Sequence, residues 1–151
     1  MHPVRRVLLG AGVLFLLLQL VPYGWGHPNP AVTAPVAWPS PDAEAVARRA
    51  CYDCHSNETR WPPQSFVAPF SWLVKWDVVR GRDELNFSEW DGGDDAHEAR
   101  EQVEHGDMPP ARYTLVHPDA RLSDTDRELL EEALRSLEDG DDDGHGGPGH
   151  G

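Results

Sequence analysis

The sequence predicts an all-α protein built on one small helical domain. Three segments place apolar residues at helical spacing, capping residues precede two of them, and no segment shows the alternation expected of a strand. A length of 151 residues suits one domain, and composition sets both ends of the chain apart from the core. We therefore expect a targeting segment at residues 1–26, a Pro-rich linker at 27–39, the helical domain at 40–137 and a disordered acidic tail at 138–151.

Charge limits the class of partner. The formal net charge is −13, and every acidic residue lies after position 26. Nucleic acid is excluded as a partner, because binding phosphate requires Lys and Arg side chains. The acidity would steer a basic protein partner towards the chain, or it serves only to keep the protein soluble.

The N-terminus has the features of a targeting segment. Two arginines precede an apolar run over residues 7–21 that has a single polar interruption. The length of this run suits a secretory signal. If the run is extended to Trp25, its length approaches the roughly 20 residues that a membrane span needs. No clear cleavage site follows, so we favour an uncleaved anchor over a cleaved signal peptide. In both cases residues 27–151 would lie on the outer, periplasmic side of the cytoplasmic membrane.

The first helix of the domain follows the Pro-rich segment. Prolines recur between His27 and Pro39 without a periodic apolar pattern, which indicates an extended linker. Ser40 then has the form of an N-cap, with Pro41 at the first helical position. The predicted helix runs to about Cys51, and its apolar residues share one face. They are Ala43, Val46, Ala47 and Ala50.

This helix leads into Cys51-Tyr52-Asp53-Cys54-His55, which holds the only two cysteines of the chain. The CxxCH pattern is the attachment site of a c-type haem, because two thiols at this spacing can each bond to a vinyl group while the adjoining imidazole ligates the iron. One alternative is a thioredoxin-like redox pair, but no βαβ pattern is visible around the motif. The other is half of a structural zinc site, which needs four Cys or His ligands, commonly in two close pairs, and the sequence has no second cysteine pair. We therefore predict one covalent haem c.

Three further helices are predicted after the motif. The first begins near Pro69 and closes at Gly81, and the second is polar on most sides and ends at Gly106. The last opens with a capping box at Ser123 and carries an apolar stripe to Leu137. Beyond it lies the acidic, His- and Gly-rich tail, for which weak metal binding is the lesser alternative to disorder.

Met108 is the predicted second axial ligand of the iron. It is the only methionine besides the initiator, and it lies in a Gly-Asp-Met-Pro-Pro loop directly after a predicted helix end. A thioether is a suitable soft ligand for haem iron. The alternatives are a methionine that only fills a gap against the macrocycle, or ligation by His105 or His117.

Cationic and aromatic side chains near the motif are candidate contacts for the porphyrin. The candidate partners of a haem propionate are Arg60 first, then Arg82 and Arg112. The candidate ring contacts are Trp61, Trp72, Trp76 and Trp90. Surface ion pairs for the arginines and ordinary core packing for the tryptophans are the alternatives.

Longer strings surround these residues. They are residues 51–62 (Cys-Tyr-Asp-Cys-His-Ser-Asn-Glu-Thr-Arg-Trp-Pro), 67–73 (Val-Ala-Pro-Phe-Ser-Trp-Leu), 81–90 (Gly-Arg-Asp-Glu-Leu-Asn-Phe-Ser-Glu-Trp), and Met108-Pro109-Pro110 with Tyr113 and His117-Pro118. On these strings the chain resembles the small bacterial haem-binding domain proteins with a single CxxCH, from about Trp38 to Leu137.

The resemblance implies a cytochrome-c-like domain with haem c bound through Cys51 and Cys54, His55 as the proximal ligand, and an N-terminal membrane segment. In the more distant mono-haem cytochromes c, the last helix crosses the helix that precedes CxxCH. We therefore expect residues 123–137 to pack near residues 41–51.

Two functions follow from these expectations. The first is a mono-haem c-type cytochrome of the cell envelope. In it His55 and Met108 leave no open position on the iron, and electrons pass to a redox protein. The acidity of the chain would favour encounter with that protein if it is basic. The second is a haem-based sensor or a small haem enzyme with an open or displaceable distal site. No nucleophile motif or phosphate loop suggests catalysis, so we expect an electron carrier rather than an enzyme.

Overall fold

A computed structural model describes residues 2–142 of the chain. Its α-helices are α1 His2–Leu18, α2 Pro41–Ala50, α3 Tyr52–His55, α4 Phe70–Glu84, α5 Gly93–Glu104, α6 Ala111–Val116 and α7 Asp124–Asp142. Two short 3-10 helices, Pro63–Phe66 and Pro118–Ala120, lie between them. Within residues 2–142 there is no strand, only an isolated bridge between Ala34 and Glu89. The predicted all-α class is confirmed.

The core lies where α2, α5 and α7 meet. Its most buried helical members are Val46, Ala47, Val103, Leu130 and Leu134. At its edge Arg49 of α2 forms an ion pair of 2.6 Å with Asp126 of α7. The expectation that the last helix packs near the helix preceding the cysteine motif is confirmed.

α5 packs more closely than its polar sequence predicts. Ala96 and Val103 are buried on the side that faces α7. On the rim of the same contact, the side chains of His97 and Arg100 bind Glu138 at 2.7 Å and 3.1 Å. Two small apolar positions at helical spacing are thus enough to seat a helix whose other sides are acidic.

α4 begins one residue after Pro69, as predicted, but it does not end at Gly81. The helix continues to Glu84, and Gly81 is buried within it. Glycine is common just past the end of a helix, and the sequence predicts an end here for that reason. Gly81 is instead required by packing, because a Cβ atom there would lie 2.6 Å from the carbonyl oxygen of Cys54.

Residues 27–39, predicted as a linker, are extended but packed against the helices. The backbone N–H of Val36 donates to the carbonyl of Phe87, and the N–H of Trp90 donates to the carbonyl of Ala34. Val36 is buried and joins the core. The folded domain therefore begins before residue 40.

The two ends of the chain differ from the predicted layout. Among the described residues, no helix has both the length and the apolar character that crossing a membrane requires, so the N-terminal membrane segment is not supported. At the other end, α7 runs on to Asp142, and Glu138, beyond the end of the apolar stripe, is held by Arg100 of α5. Residues 143–151 of the predicted tail lie outside the described residues.

Candidate cofactor site around the cysteine motif

The imidazole of His55 is oriented by the C-terminal end of α4. Its Nδ1 lies 2.8 Å from the carbonyl oxygen of Gly81 and 3.2 Å from that of Leu85. Because both partners are acceptors, Nδ1 carries the proton and donates, which leaves Nε2 unprotonated. Burial lowers the pKa of His55, although the two hydrogen bonds act in the opposite direction. The ring is therefore neutral at pH 7 and can ligate a metal through Nε2.

The two cysteines are free thiols, Cys51 at the N-cap of α3 and Cys54 within that helix. Burial raises the pKa of Cys51 to about 12, and burial together with Asp77 and Asp53 raises the pKa of Cys54 to about 12. A thioredoxin-like pair needs a thiol of lowered pKa, so these environments disfavour that alternative. The zinc alternative finds no support in the described part of the chain, which holds no group of three or more His, Cys, Asp or Glu placed to bind a metal ion.

Cavities surround the motif. Two of them, of about 310 and 370 Å³, share four lining residues. The shared residues are Cys51, His55, Glu84 and Met108. Trp76, Pro109 and Tyr113 complete part of the first wall, and Leu85, Phe87 and Leu130 part of the second. The fold thus brings Met108 to the same space as the motif, as the sequence predicts.

The turn after α5 delivers Met108 to this space. Gly106 has φ +76° and ends the helix in a Schellman motif, in which its N–H donates to Val103 and the N–H of Asp107 donates to Gln102. The N–H of Met108 also donates to Gln102. This geometry confirms Gly106 as the residue past the helix end.

The two alternative ligands lie elsewhere. His105 is exposed at the end of α5 and lines neither of the two cavities. His117 is half-buried, stacks on Tyr113 with 4.4 Å between ring centroids, and lines a third cavity of about 230 Å³. That third cavity reaches Cys54 but not His55, so it favours Met108 over His117 as the second ligand.

Asp53, between the two cysteines, is a site residue that the sequence reasoning missed. It is 8% exposed, and its carboxylate accepts hydrogen bonds from the Tyr113 hydroxyl at 2.8 Å and from the Arg60 backbone N–H at 3.0 Å. The Arg60 guanidinium, predicted to pair with a propionate, contacts the same carboxylate at 3.2 Å and also lines the third cavity. Burial and Asp53 raise the pKa of Tyr113, so its hydroxyl stays protonated and donates.

The other candidate contacts divide between the cavities and the frame around them. Trp61 packs edge-on against His27, at 4.6 Å between centroids, and lines none of the three cavities. Trp72 also lines none of them, and its buried Nε1 has no hydrogen-bond partner. Trp90 stacks on Phe87 in the core. Of the four tryptophans, Trp76 is the one that borders a cavity of the motif.

Residues just after the motif fasten it to the rest of the domain. Arg82 donates to the carbonyl of Ser56 at 2.7 Å and to the hydroxyl of Thr59 at 2.8 Å. Asn57 accepts from Asn86 at 3.1 Å, and its backbone N–H donates to the Ser88 hydroxyl at 2.9 Å. These bonds give a structural role to the strings at 56–59 and 82–88. Arg82 therefore serves the frame rather than the cofactor.

The arrangement offers a haem two kinds of attachment, through the thiols and through ligands to its iron. It presents two thiols two residues apart, a neutral imidazole with a free Nε2 and a thioether, all bordering cavities lined by both apolar and charged residues. The family model described as a haem-binding domain matches residues 13–136, which include the motif and Met108. Neither a curated protein nor a solved structure matches the chain.

Proposed function

The chain belongs to the haem-binding domain family, and from this we propose that it is a mono-haem c-type cytochrome that transfers electrons. The observation that carries the proposal is that Cys51, His55 and Met108 border the same two cavities. When bound, the haem iron supplies a one-electron redox couple. The residues of this chain hold the haem, supply the ligands to its iron and determine how far it is exposed to solvent.

Covalent attachment is proposed through Cys51 and Cys54. Their sulfur atoms would form thioether bonds to the two vinyl groups. His55 would bind the iron through Nε2, since its Nδ1–H already donates to the carbonyls at the end of α4. Donation from Nδ1–H to these carbonyls fixes the orientation of the imidazole ring and makes Nε2 a better ligand.

Met108 is proposed as the second axial ligand. Its thioether and the His55 imidazole would fill both axial positions, which raises the reduction potential relative to a site with two histidines. With both positions filled, no place is left for a substrate, and this favours electron transfer over a sensor or small haem enzyme. Carbon monoxide separates the two functions: the electron carrier binds it slowly or not at all at neutral pH, whereas rapid stoichiometric binding would favour an open site.

The location and the partner are proposed on chemical grounds. We place residues 27–151 on the outer side of the cytoplasmic membrane, following the arginines and apolar run of the N-terminus. The net charge of −13 suits a basic redox protein as electron donor or acceptor. If so, the rate of electron transfer should fall steeply as ionic strength rises.

The proposal is tested by producing the full chain in a host that attaches haem c. The expected product keeps haem through a denaturing gel and has the mass of the polypeptide plus one haem. The variant with both Cys51→Ser and Cys54→Ser should lose haem on denaturation, since a ligand bond alone does not survive it. A colourless wild-type protein at the mass of the bare polypeptide would overturn the proposal.

A further inference from the structure

Charge and apolar residues are segregated along the chain. All 26 acidic residues lie outside two stretches, residues 1–41 and residues 59–76. These acid-free stretches contain Arg5 and Arg6 in the first, and Arg60 and the single lysine, Lys75, in the second. In a chain of net charge −13, two long stretches without a carboxylate side chain leave local regions of neutral or positive charge.

The fold joins the two acid-free stretches into one surface. Gln19, just after α1, forms a reciprocal pair of hydrogen bonds with the backbone of Ala68, at 3.1 Å and 2.9 Å. Gly24, at φ +88°, lies so close to Ser71 that a Cβ atom would stand 2.8 Å from the Ser71 carbonyl oxygen. The end of α1 is therefore fastened to the start of α4.

Apolar side chains stand out from this junction. In the described part of the chain, every exposed large hydrophobic residue lies within residues 4–32, 66–79 or 115–116. At the junction itself Phe66 is 66% exposed and Trp25 61%, with Tyr23 at 47% and Val67 at 41%. An exposed apolar patch of this kind marks an interaction surface. Trp and Tyr are also the residues enriched where a protein meets the membrane interface.

We propose that this junction face, formed by Tyr23, Trp25, Phe66 and Val67, rests on a phospholipid surface. Its apolar side chains enter the interfacial region of the bilayer, and no carboxylate side chain of the two acid-free stretches repels the lipid phosphates. The acidic α5 and α7, which carry no exposed large hydrophobic residue within residues 2–142, stay in the aqueous phase.

The proposal goes beyond the N-terminal segment and does not depend on haem. It assigns lipid contact to the folded domain, and the charge segregation fixes how the domain is turned. A second copy of the chain is the alternative occupant, and a covalent link from position 66 to that copy would reveal it. A lipid surface needs only the one face.

The test uses a photoreactive phenylalanine analogue in the full-length chain, reconstituted into vesicles of phosphatidylcholine with phosphatidylglycerol. The analogue replaces Phe66 on the junction face, Leu14, which is 58% exposed in the apolar α1, for comparison, or Glu132 on the exposed side of α7 as a negative control. After irradiation, mass spectrometry should find lipid attached at positions 66 and 14 and not at 132. Lipid at 14 alone, or a link from 66 to a second copy, would overturn the proposal.

A variant on the same face gives a second readout. Val67→Asp places a carboxylate beside the probe at position 66 and should lower lipid attachment there by roughly tenfold, since a charged side chain is costly at an apolar boundary. Attachment at position 14 should be unchanged. Equal attachment at position 66 with and without Val67→Asp would contradict the inferred face.

Discussion

A Cβ atom added to Gly81 would stand 2.6 Å from the carbonyl oxygen of Cys54, so α4 crosses the cysteine motif at a distance that excludes any side chain. The carbonyl of the same glycine accepts the hydrogen bond from Nδ1 of His55 at 2.8 Å. One residue therefore sets both the separation of α3 and α4 and the direction of the imidazole. The two effects are coupled, because moving α4 away lengthens that hydrogen bond.

Gly81→Ala should damage both functions of this residue. The added methyl group meets backbone atoms, which cannot yield as a flexible side chain would, and overpacking of this kind costs about 1–3 kcal/mol of unfolding free energy. Displaced α4 should also loosen His55 and lower the ratio of haem to protein. Urea unfolding and that ratio are the measurements.

Gly140→Ala is the matched control, because its Cβ would have nothing within 4 Å and the position lies in α7. It should leave the unfolding free energy unchanged or raise it by up to about 1 kcal/mol, since alanine favours a helix. Equal behaviour of the two variants would show that the approach of α4 to Cys54 is not restrictive.

Met108→Ala should remove sulfur from the iron. The ferric protein is expected to lose its far-red absorption band and to shift to a lower reduction potential, because Met/His ligation raises the potential. His105→Ala should keep both properties, since His105 is exposed and borders neither cavity that Met108 borders. A band that survives in Met108→Ala, or disappears in His117→Ala, would assign the second ligand to another residue.

Asp53→Asn should destabilise the fold. The buried carboxylate accepts from Tyr113 and Arg60, and loss of hydrogen bonds to a charged group costs about 1.5–3 kcal/mol. Tyr113→Phe should cost less, and the double variant should cost less than the sum of the two, because both remove the same bond. Urea unfolding of the four proteins gives the coupling.

Asp77→Asn serves as the comparison for this cycle. Asp77 also pairs with an arginine, Arg112, at 2.7 Å, but the arginine is 56% exposed. An exposed pair is worth about 0–1 kcal/mol. If Asp53→Asn is no more destabilising than Asp77→Asn, the buried cluster around Asp53 has no special role.

Features that depend on neighbours in the sequence could be predicted. The cap of α2 is present, with the N–H of Ala43 donating to the Ser40 hydroxyl at 3.1 Å, and the helix buries the face that its apolar spacing indicates. The glycine past the end of α5 also adopts the positive φ expected of it. Each of these is decided within one or two turns of chain, where spacing and capping rules apply.

Features that depend on distant parts of the chain could not be predicted. The sequence around Gly81 predicts a helix end, and only the structure shows that Cys54 packs against this glycine. Asp53 occupies one of the two unspecified positions of CxxCH, so the motif assigns it no role. The structure shows that Tyr113, 60 residues away, donates a hydrogen bond to it. The packing of Val36 against the core likewise depends on residues near 87. Local propensity carries no information about such contacts, and tertiary packing overrides it.

Asp126 offers a prediction about pH. Its carboxylate forms the ion pair with Arg49 at 2.6 Å and accepts from the Ser123 hydroxyl and backbone N–H, which completes the capping box of α7. Chiefly through Arg49 and then Ser123, these bonds lower the pKa of Asp126 to about 2. A carboxyl whose pKa is lower in the folded than in the unfolded state stabilises the fold above its unfolded pKa of about 3.9, and this contribution is lost as the pH falls towards 2.

Asp126→Asn should therefore lower the unfolding free energy by about 1 kcal/mol at pH 7, a modest value because the two side chains are 25% and 30% exposed. The difference from the wild type should persist down to about pH 4 and shrink towards pH 2, where the wild-type carboxyl is itself becoming protonated. Urea unfolding of both proteins across this range is the measurement, and taking the difference cancels the titration of other groups. Glu132→Gln, at a side chain 76% exposed, should show no such dependence. A deficit in Asp126→Asn that is the same at pH 7 and pH 2 would mean that the shape of the cap, rather than its charge, holds α7 to α2.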